Sequence, residues 1–278
     1  MARWFIRMTR CPPHGSCPAS AAAFGADPVT VAVFPGSTHT VVTDDGDAAR
    51  FCTTCAFSSV CLAEGLDKGA LRELHMLVEH VGPLPAGTHV FRTGDRFESI
   101  AAVRGGTVKT CRVDREGREQ VLGFHLPGEI IGLSAIDGER YPRDAVALDT
   151  VQLCRFSFPR IAMLARQIPG LQRQLFRLMS RGIGHAERLS GDHSADERIA
   201  AFLIDLSKRL QACGFSATRF ELTMPRTDIA NYLRLAPETV SRVLRRFQDD
   251  GMVHVQRREI ELVDPARLAL LAEPMLAM

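Results

Sequence analysis

Apolar and polar positions follow different periods along this chain, and the changes of period divide it. Residues 1–50, rich in Ala, Pro, Gly and Thr, carry no sustained period, so a disordered leader is expected there. From Asp67 to His80, Leu71, Leu74, Leu77 and Val78 recur at helical spacing and predict a short amphipathic helix. Glycine-centred turns then follow at Gly87, Gly94, Gly105-Gly106, Gly117 and Gly128. Between and after them lie strand-like runs, Ser99–Val103, Thr107–Val113 and Gln120–Leu126, with Ala145–Phe156 closing the set. Short strands at this spacing predict a β-roll or sandwich. Residues 160–190 return to helical spacing, with Leu171, Leu175, Leu178, Met179, Ile183 and Ala186 on one stripe. That stripe would face the roll or the same helix of a second copy. Gly182, Gly184 and Gly191 each cost roughly 1 kcal/mol relative to Ala if helical, which makes any seam here marginal.

A second helical unit begins near Ala195, with Ile199, Phe202, Leu203 and Leu206 on its apolar face, and Phe220–Thr223 reads as a short strand. Thr227–Leu233 predicts a helix, Arg234-Leu235-Ala236 a tight turn, and Pro237–Asp250 a second helix ended by Gly251. Pro237 suits the first helical position, where no N–H is needed, and Gly251 suits a left-handed cap. Ala236, at the N-cap, forgoes the ~1 kcal/mol that Ser or Thr supplies there. Val240, Val243, Leu244 and Phe247 make a buried stripe, and Glu238, Ser241, Arg242 and Arg245 fall on another face. That outward set matches base edges in a major groove: Arg donates twice to guanine, Glu accepts from cytosine, and Ser does either. Thr227, Arg246 and the Arg257-Arg258 turn suit phosphates. Met252–Val255 and Glu259–Val263 form a hairpin around that turn. Helix, turn, helix and hairpin in this order predict a winged helix-turn-helix.

Composition changes this picture in three ways. The 278 residues are 46% apolar and 24% charged, with no apolar run near the ~20 residues of a membrane span and no long apolar segment after the basic start, so a cytoplasmic protein is expected. The net charge is only +2, yet residues 226–258 hold seven arginines against four acids, which favours nucleic acid as partner. No phosphate loop, nucleophile elbow or His-Glu-x-x-His run is present, and His75, His80, His89, His125, His185 and His193 are scattered, so an enzyme is not expected. Three of the eight cysteines, Cys52, Cys55 and Cys61, fall within ten residues, which in a reducing compartment points to metal or redox chemistry rather than disulfides. Iron–sulfur clusters and structural zinc both take four thiolates; the spacing favours iron–sulfur and leaves zinc, or no metal, open. Cys111 and Cys213 read as buried structural thiols, and Cys11 and Cys17 fall in the leader.

Taken together, these features resemble the cyclic-AMP receptor protein superfamily and, within it, the FNR branch of fumarate and nitrate reduction regulators. The resemblance spans about Phe51 to Pro265. It is carried by Cys52-x2-Cys55-x5-Cys61, Gly123-Phe124-His125-Leu126-Pro127-Gly128-Glu129, Cys154, Asp196-Glu197-Arg198-Ile199-Ala200 and Glu238-Thr239-Val240-Ser241-Arg242. It implies an α+β fold with an N-terminal β-roll (double-stranded β-helix or jelly roll) sensor domain, a long dimerisation helix and a C-terminal winged helix-turn-helix. The corresponding segments are 1–50, leader; 51–159, cysteine loop and roll; 160–194, dimerisation helix and hinge; and 195–278, DNA-binding domain. It further implies a [4Fe-4S] cluster on Cys52, Cys55, Cys61 and Cys154, with Arg155 placed to favour the Cys154 thiolate. For partners it implies a homodimer on double-stranded DNA, with Glu238, Ser241 and Arg242 reading TTGAT-type half-sites of an inverted repeat, and RNA polymerase facing the Asp114–Arg118 turn. The implied role is an oxygen-responsive regulator of anaerobic metabolism. Nucleotide-binding members of the superfamily hold a cyclic phosphate with Arg-Ser/Thr-Ala beside a Gly-Glu turn. Here Gly128-Glu129 is present, but Arg143-Asp144-Ala145 sets a carboxylate against the phosphate, at a cost of several kcal/mol.

Overall fold

The computed structural model describes residues 29–34, 37–42, 52, 55–189 and 191–276. Two antiparallel sheets build the roll. One runs in the order β1 (Val29–Phe34), β2 (Ser37–Val42), β3 (Val78–Leu84), β10 (Val151–Ser157), β5 (Ser99–Gly105), β8 (Ile130–Ile131). The other runs β4 (His89–Phe91), β9 (Asp144–Ala147), β6 (Val108–Val113), β7 (Glu119–His125). Val81, Val103, Val108, Ala145, Val151 and Leu153 meet in the core between them. β5 is buried on both faces, which is why it reads as a continuous apolar run: Ala101 and Val103 face the roll interior, while Ile100 and Ala102 face the helices.

Three expectations need correction here. The leader is not irregular throughout, because β1 and β2 pair with each other and β2 pairs with β3 (Val41 opposite Val81). Alternating β-branched residues on either side of Pro35-Gly36 carry that hairpin signal, which composition alone conceals. The predicted Asp67–His80 helix is α1 (Lys68–His75), N-capped by the Asp67 carboxylate, and it stops because Val78 opens β3. The closing run Ala145–Phe156 is split into β9 and β10. Gly106, at φ +78, nestles against the break, where a Cβ would lie 2.5 Å from the Thr150 carbonyl oxygen.

Residues 158–188 form two helices, α2 (Phe158–Gln167) and α3 (Pro169–Arg188). Pro169 drives Ile168 into extended backbone and breaks the span. Leu171 and Leu175 are buried beneath β5 with Leu62, Leu74 and Phe156. The outward apolar positions of α3 are Phe176 and, two turns on, Ile183, respectively 58% and 63% exposed. The predicted stripe is thus divided: Leu171 and Leu175 pack on the roll, while Ile183 and Ala186 face outward with Phe176. Gly182 and Gly184 lie inside the helix.

The C-terminal unit comprises α4 (Ala195–Ala212), β11 (Arg219–Glu221), α5 (Arg226–Leu233), α6 (Pro237–Asp249), β12 (Val253–Gln256), β13 (Glu259–Leu262) and α7 (Pro265–Leu276). Ser194 and Glu197 form a capping box at the start of α4, and Ile199, Phe202, Leu203 and Leu206 are buried as predicted. The sequence pattern did not single out α7, which buries Leu268 and Ala272.

Polar contacts from several elements join this unit to the roll, among them the Thr223 hydroxyl on the Thr107 hydroxyl at 2.9 Å. Arg209 donates to both carboxylate oxygens of Glu129 at 2.7 Å, and also to Asp205 and the Phe124 carbonyl. The Asn231 carboxamide donates to the Glu119 carbonyl and accepts from Val121 N–H, both at 2.7 Å, so it occupies the open edge of β7 as a further strand would. Lys109 bridges Glu119 and Asp228. Burial works against the Glu129 carboxylate, yet Arg209 holds its pKa below the usual value.

Burial also pushes His125 down to about 4, against the pull of Glu129. Its unfolded value is near 6.5, so below that pH the unfolded chain binds the extra proton and stability falls. The protein is expected to lose up to ~1.4 kcal/mol per pH unit between about 6.5 and 4. His125→Gln should flatten that slope in urea titrations, and an unchanged slope would remove His125 as its source.

Candidate functional site

Strand register builds the first site. Cys154 lies mid-strand in β10, opposite His80 of β3 on one side and Ala102 of β5 on the other. Its sulfur is 3.7 Å from His80 Nδ1, and an Arg104 guanidinium nitrogen approaches the same Nδ1 at 3.4 Å. Residues 55–66 fold over this face in successive tight turns, including Val60 N–H to the Phe57 carbonyl and Glu64 N–H to the Cys61 carbonyl. Leu62, fully buried, anchors them. Gly128, at φ +91, is what lets this loop seat: a Cβ there would lie 2.2 Å from Val60 Cγ2. Cys52 approaches from the other side, its sulfur 3.7 Å from His75 Nδ1.

Cys52, Cys55, Cys61 and Cys154 thus line one cavity of about 360 Å³, walled by Ala63, Leu74, Val78 and Phe156. Burial pushes the Cys52 thiol up to about 11 and those of Cys61 and Cys154 to about 12, while Arg104 pulls Cys52 and Cys154 the other way. Thiols held this high stay protonated at neutral pH until a bound cation offsets the charge. Arg155 does not supply that charge. Strand alternation turns it to the other face, where it pairs with Glu79. Among the described residues no three His, Cys, Asp or Glu side chains converge tightly enough to hold a single metal ion. His75, His80 and Arg104 join the cavity from distant parts of the sequence, which left no local spacing to reveal them. Cys111 and Cys213 are buried elsewhere, the latter donating to the Pro127 carbonyl, and Cys11 and Cys17 lie outside the described residues.

The second site is the surface of α5, α6 and the wing. α6 buries Val240, Val243, Leu244 and Phe247, and exposes Glu238, Ser241, Arg242 and Arg245. The Ser241 hydroxyl donates back to the Pro237 carbonyl. Ala236 leaves the helix start without a side-chain cap. Thr227 is exposed on the first turn of α5, and Arg257 and Arg258 are exposed at the wing tip. Arg246, read as a phosphate contact, instead pairs with Asp196 at the start of α4.

With this geometry in hand, the likenesses to known proteins agree. The Crp-like helix-turn-helix domain family matches residues 197–271, and the cyclic nucleotide-binding domain family matches residues 82–167. The chain is 45% identical over 224 residues to the transcriptional activator protein anr of Pseudomonas aeruginosa, covering 80% of this chain and 92% of that protein. It is 38% identical over 230 residues to the fumarate and nitrate reduction regulatory protein of Escherichia coli, covering 82% and 92% respectively. Among solved structures it is similar to FixK2 from Bradyrhizobium japonicum, with a TM-score of 0.64 and 28% identity over 70% of this chain and 96% of that one. No helix of the described residues is long and apolar enough to cross a membrane. This chain belongs to the FNR-type transcription regulators of the cyclic-AMP receptor protein superfamily, which bind DNA and are not enzymes.

Proposed function

We propose that this regulator is oxygen-responsive, holds a [4Fe-4S] cluster on Cys52, Cys55, Cys61 and Cys154, and binds a TTGAT-type inverted repeat as a homodimer to control genes of anaerobic metabolism. Cytoplasmic action follows from that role. The observation that carries the reading is that three clustered thiols of one loop and a fourth, about ninety residues further along the chain, line one cavity. The donor set fits the group: four thiols line the cavity and much of the surrounding wall is apolar. A cluster held there would supply an oxygen-labile tie between the loop and the roll wall.

The chain's own residues carry the consequence to the dimer helix. Gln174 of α3, only 2% exposed, donates to the Cys61 carbonyl at 3.1 Å and to the Glu64 carboxylate at 2.9 Å. Glu64 also faces Arg177 and Arg181 of the same helix. A seated loop therefore steadies α3, whose Phe176 and Ile183 would meet a second copy, and a released loop withdraws that support. Two copies present two α6 helices to half-sites about one DNA turn apart. The Asp114–Arg118 turn, stiffened by Asp114 accepting from Glu116 N–H, Arg118 N–H and Arg118 Nε, is the surface proposed to face RNA polymerase.

A cyclic nucleotide as effector is disfavoured by the roll interior. Phe91 and Tyr141 stack there at 4.0 Å, and the cavity beside them holds about 10 Å³, room for one water at most. Glu129, which a nucleotide would need, is engaged by Arg209.

Anaerobically purified protein is expected to contain about four irons and four sulfides per chain, with Cys154→Ala losing most of both. Zinc without iron, or an unchanged absorption spectrum in the variant, would contradict the ligand set. Arg242→Ala should cost about 1–3 kcal/mol on the inverted repeat and little on random DNA in binding titrations. Equal losses on both would make Arg242 a backbone contact only.

A further inference from the structure

Among the described residues only two that are not glycine hold a left-handed backbone, and both are arginines on either side of α6 in the chain. Arg234, at φ 56 and ψ 44, closes α5 and leads into α6; Arg257, at φ 58, sits at the tip of the hairpin that follows. All other described positive-φ positions are glycine. A side chain with a Cβ is strained there, and arginine is not among the residues that tolerate it well. Glycine would relieve the strain at either place.

Both side chains are exposed, and neither has an ion-pair or hydrogen-bond partner among the described residues. Some arginines of the same unit are tied, such as Arg246 to Asp196 and Arg209 to Glu129, whereas Arg242, Arg245 and Arg258 are also exposed without a side-chain partner among the described residues; what sets Arg234 and Arg257 apart is the left-handed backbone. Backbone strain kept at an exposed arginine that glycine could replace points to a use for the side chain.

We infer that Arg234 is a phosphate clamp that acts with Arg257, gripping the DNA backbone beside the reading helix. The inference rests on the reading that α6 enters the major groove. A guanidinium offers a planar pair of donors to phosphate oxygens, and such a contact positions the protein without reading sequence. Arg234 therefore contributes equally on any duplex.

The test uses the full chain with Arg234→Gly, Arg234→Lys and, as the control for base reading, Arg242→Ala. Arg234→Gly should keep or raise the thermal midpoint. It should also bind both cognate and random DNA more weakly, by roughly tenfold or more near 0.1 M salt, with the salt dependence of the dimer shallower by about two, one contact per protomer. Arg234→Lys should restore that slope. If Arg234→Gly keeps wild-type affinity and slope while Arg242→Ala loses cognate binding, the clamp is wrong and the groove reading stands. If Arg242→Ala also leaves cognate binding intact, the clamp falls with the groove reading.

Discussion

The central contact between the roll and the DNA-binding unit is the Arg209 guanidinium on the Glu129 carboxylate, each side chain about a quarter exposed. Removing either partner would strand a charge where little water reaches, so the pair resists separation more than a surface bridge does. Its position matters as much as its strength. Glu129 ends the short turn Leu126–Glu129, whose Gly128 seats Val60 of the cysteine loop and whose Pro127 carbonyl accepts from Cys213. A single tight turn thus touches the thiol loop on one side and the DNA-binding unit on the other. Asn231 and Lys109 extend the same joint along β6 and β7 to the first helix of the helix-turn-helix.

The Gly-Glu pair here has a different use from the one its resemblance to nucleotide pockets implies. Its glycine makes room for a loop, and its carboxylate neutralises an arginine of the neighbouring domain. With Phe91 and Tyr141 stacked in the roll, the fold keeps the outline of a nucleotide-binding domain while its interior is filled. The chemistry moves to the outer face, where Cys154 and His80 share a strand register and α3 reaches the loop through Gln174.

Much of this was legible in the chain because local rules govern it. Pro237, Gly251 and the apolar stripe of α6 define the reading helix wherever they occur, and the glycine turns mark the roll strands. What escaped depends on long-range placement. Arg155 adjoins Cys154 in sequence, but strand alternation separates them, and Arg104 arrives from the next strand instead. Arg246 has the right charge for a phosphate, yet Asp196 lies close enough to take it. Leu171 and Leu175 share a period with Ile183, which left a roll-facing and an outward stripe both open; the fold takes the first two into the core and leaves Ile183 outside. The paired strands at Val29–Phe34 and Ser37–Val42 were hidden by the composition around them.

The central claim is that four thiols hold an oxygen-labile core whose integrity sets DNA affinity. Its most direct test is the affinity of the anaerobically prepared protein for a TTGAT-type inverted repeat, measured before and after exposure to air at constant salt. Binding should be tight and should collapse towards the random-DNA level once air is admitted. Equal affinity in both conditions would contradict it and leave a DNA-binding regulator whose signal lies elsewhere.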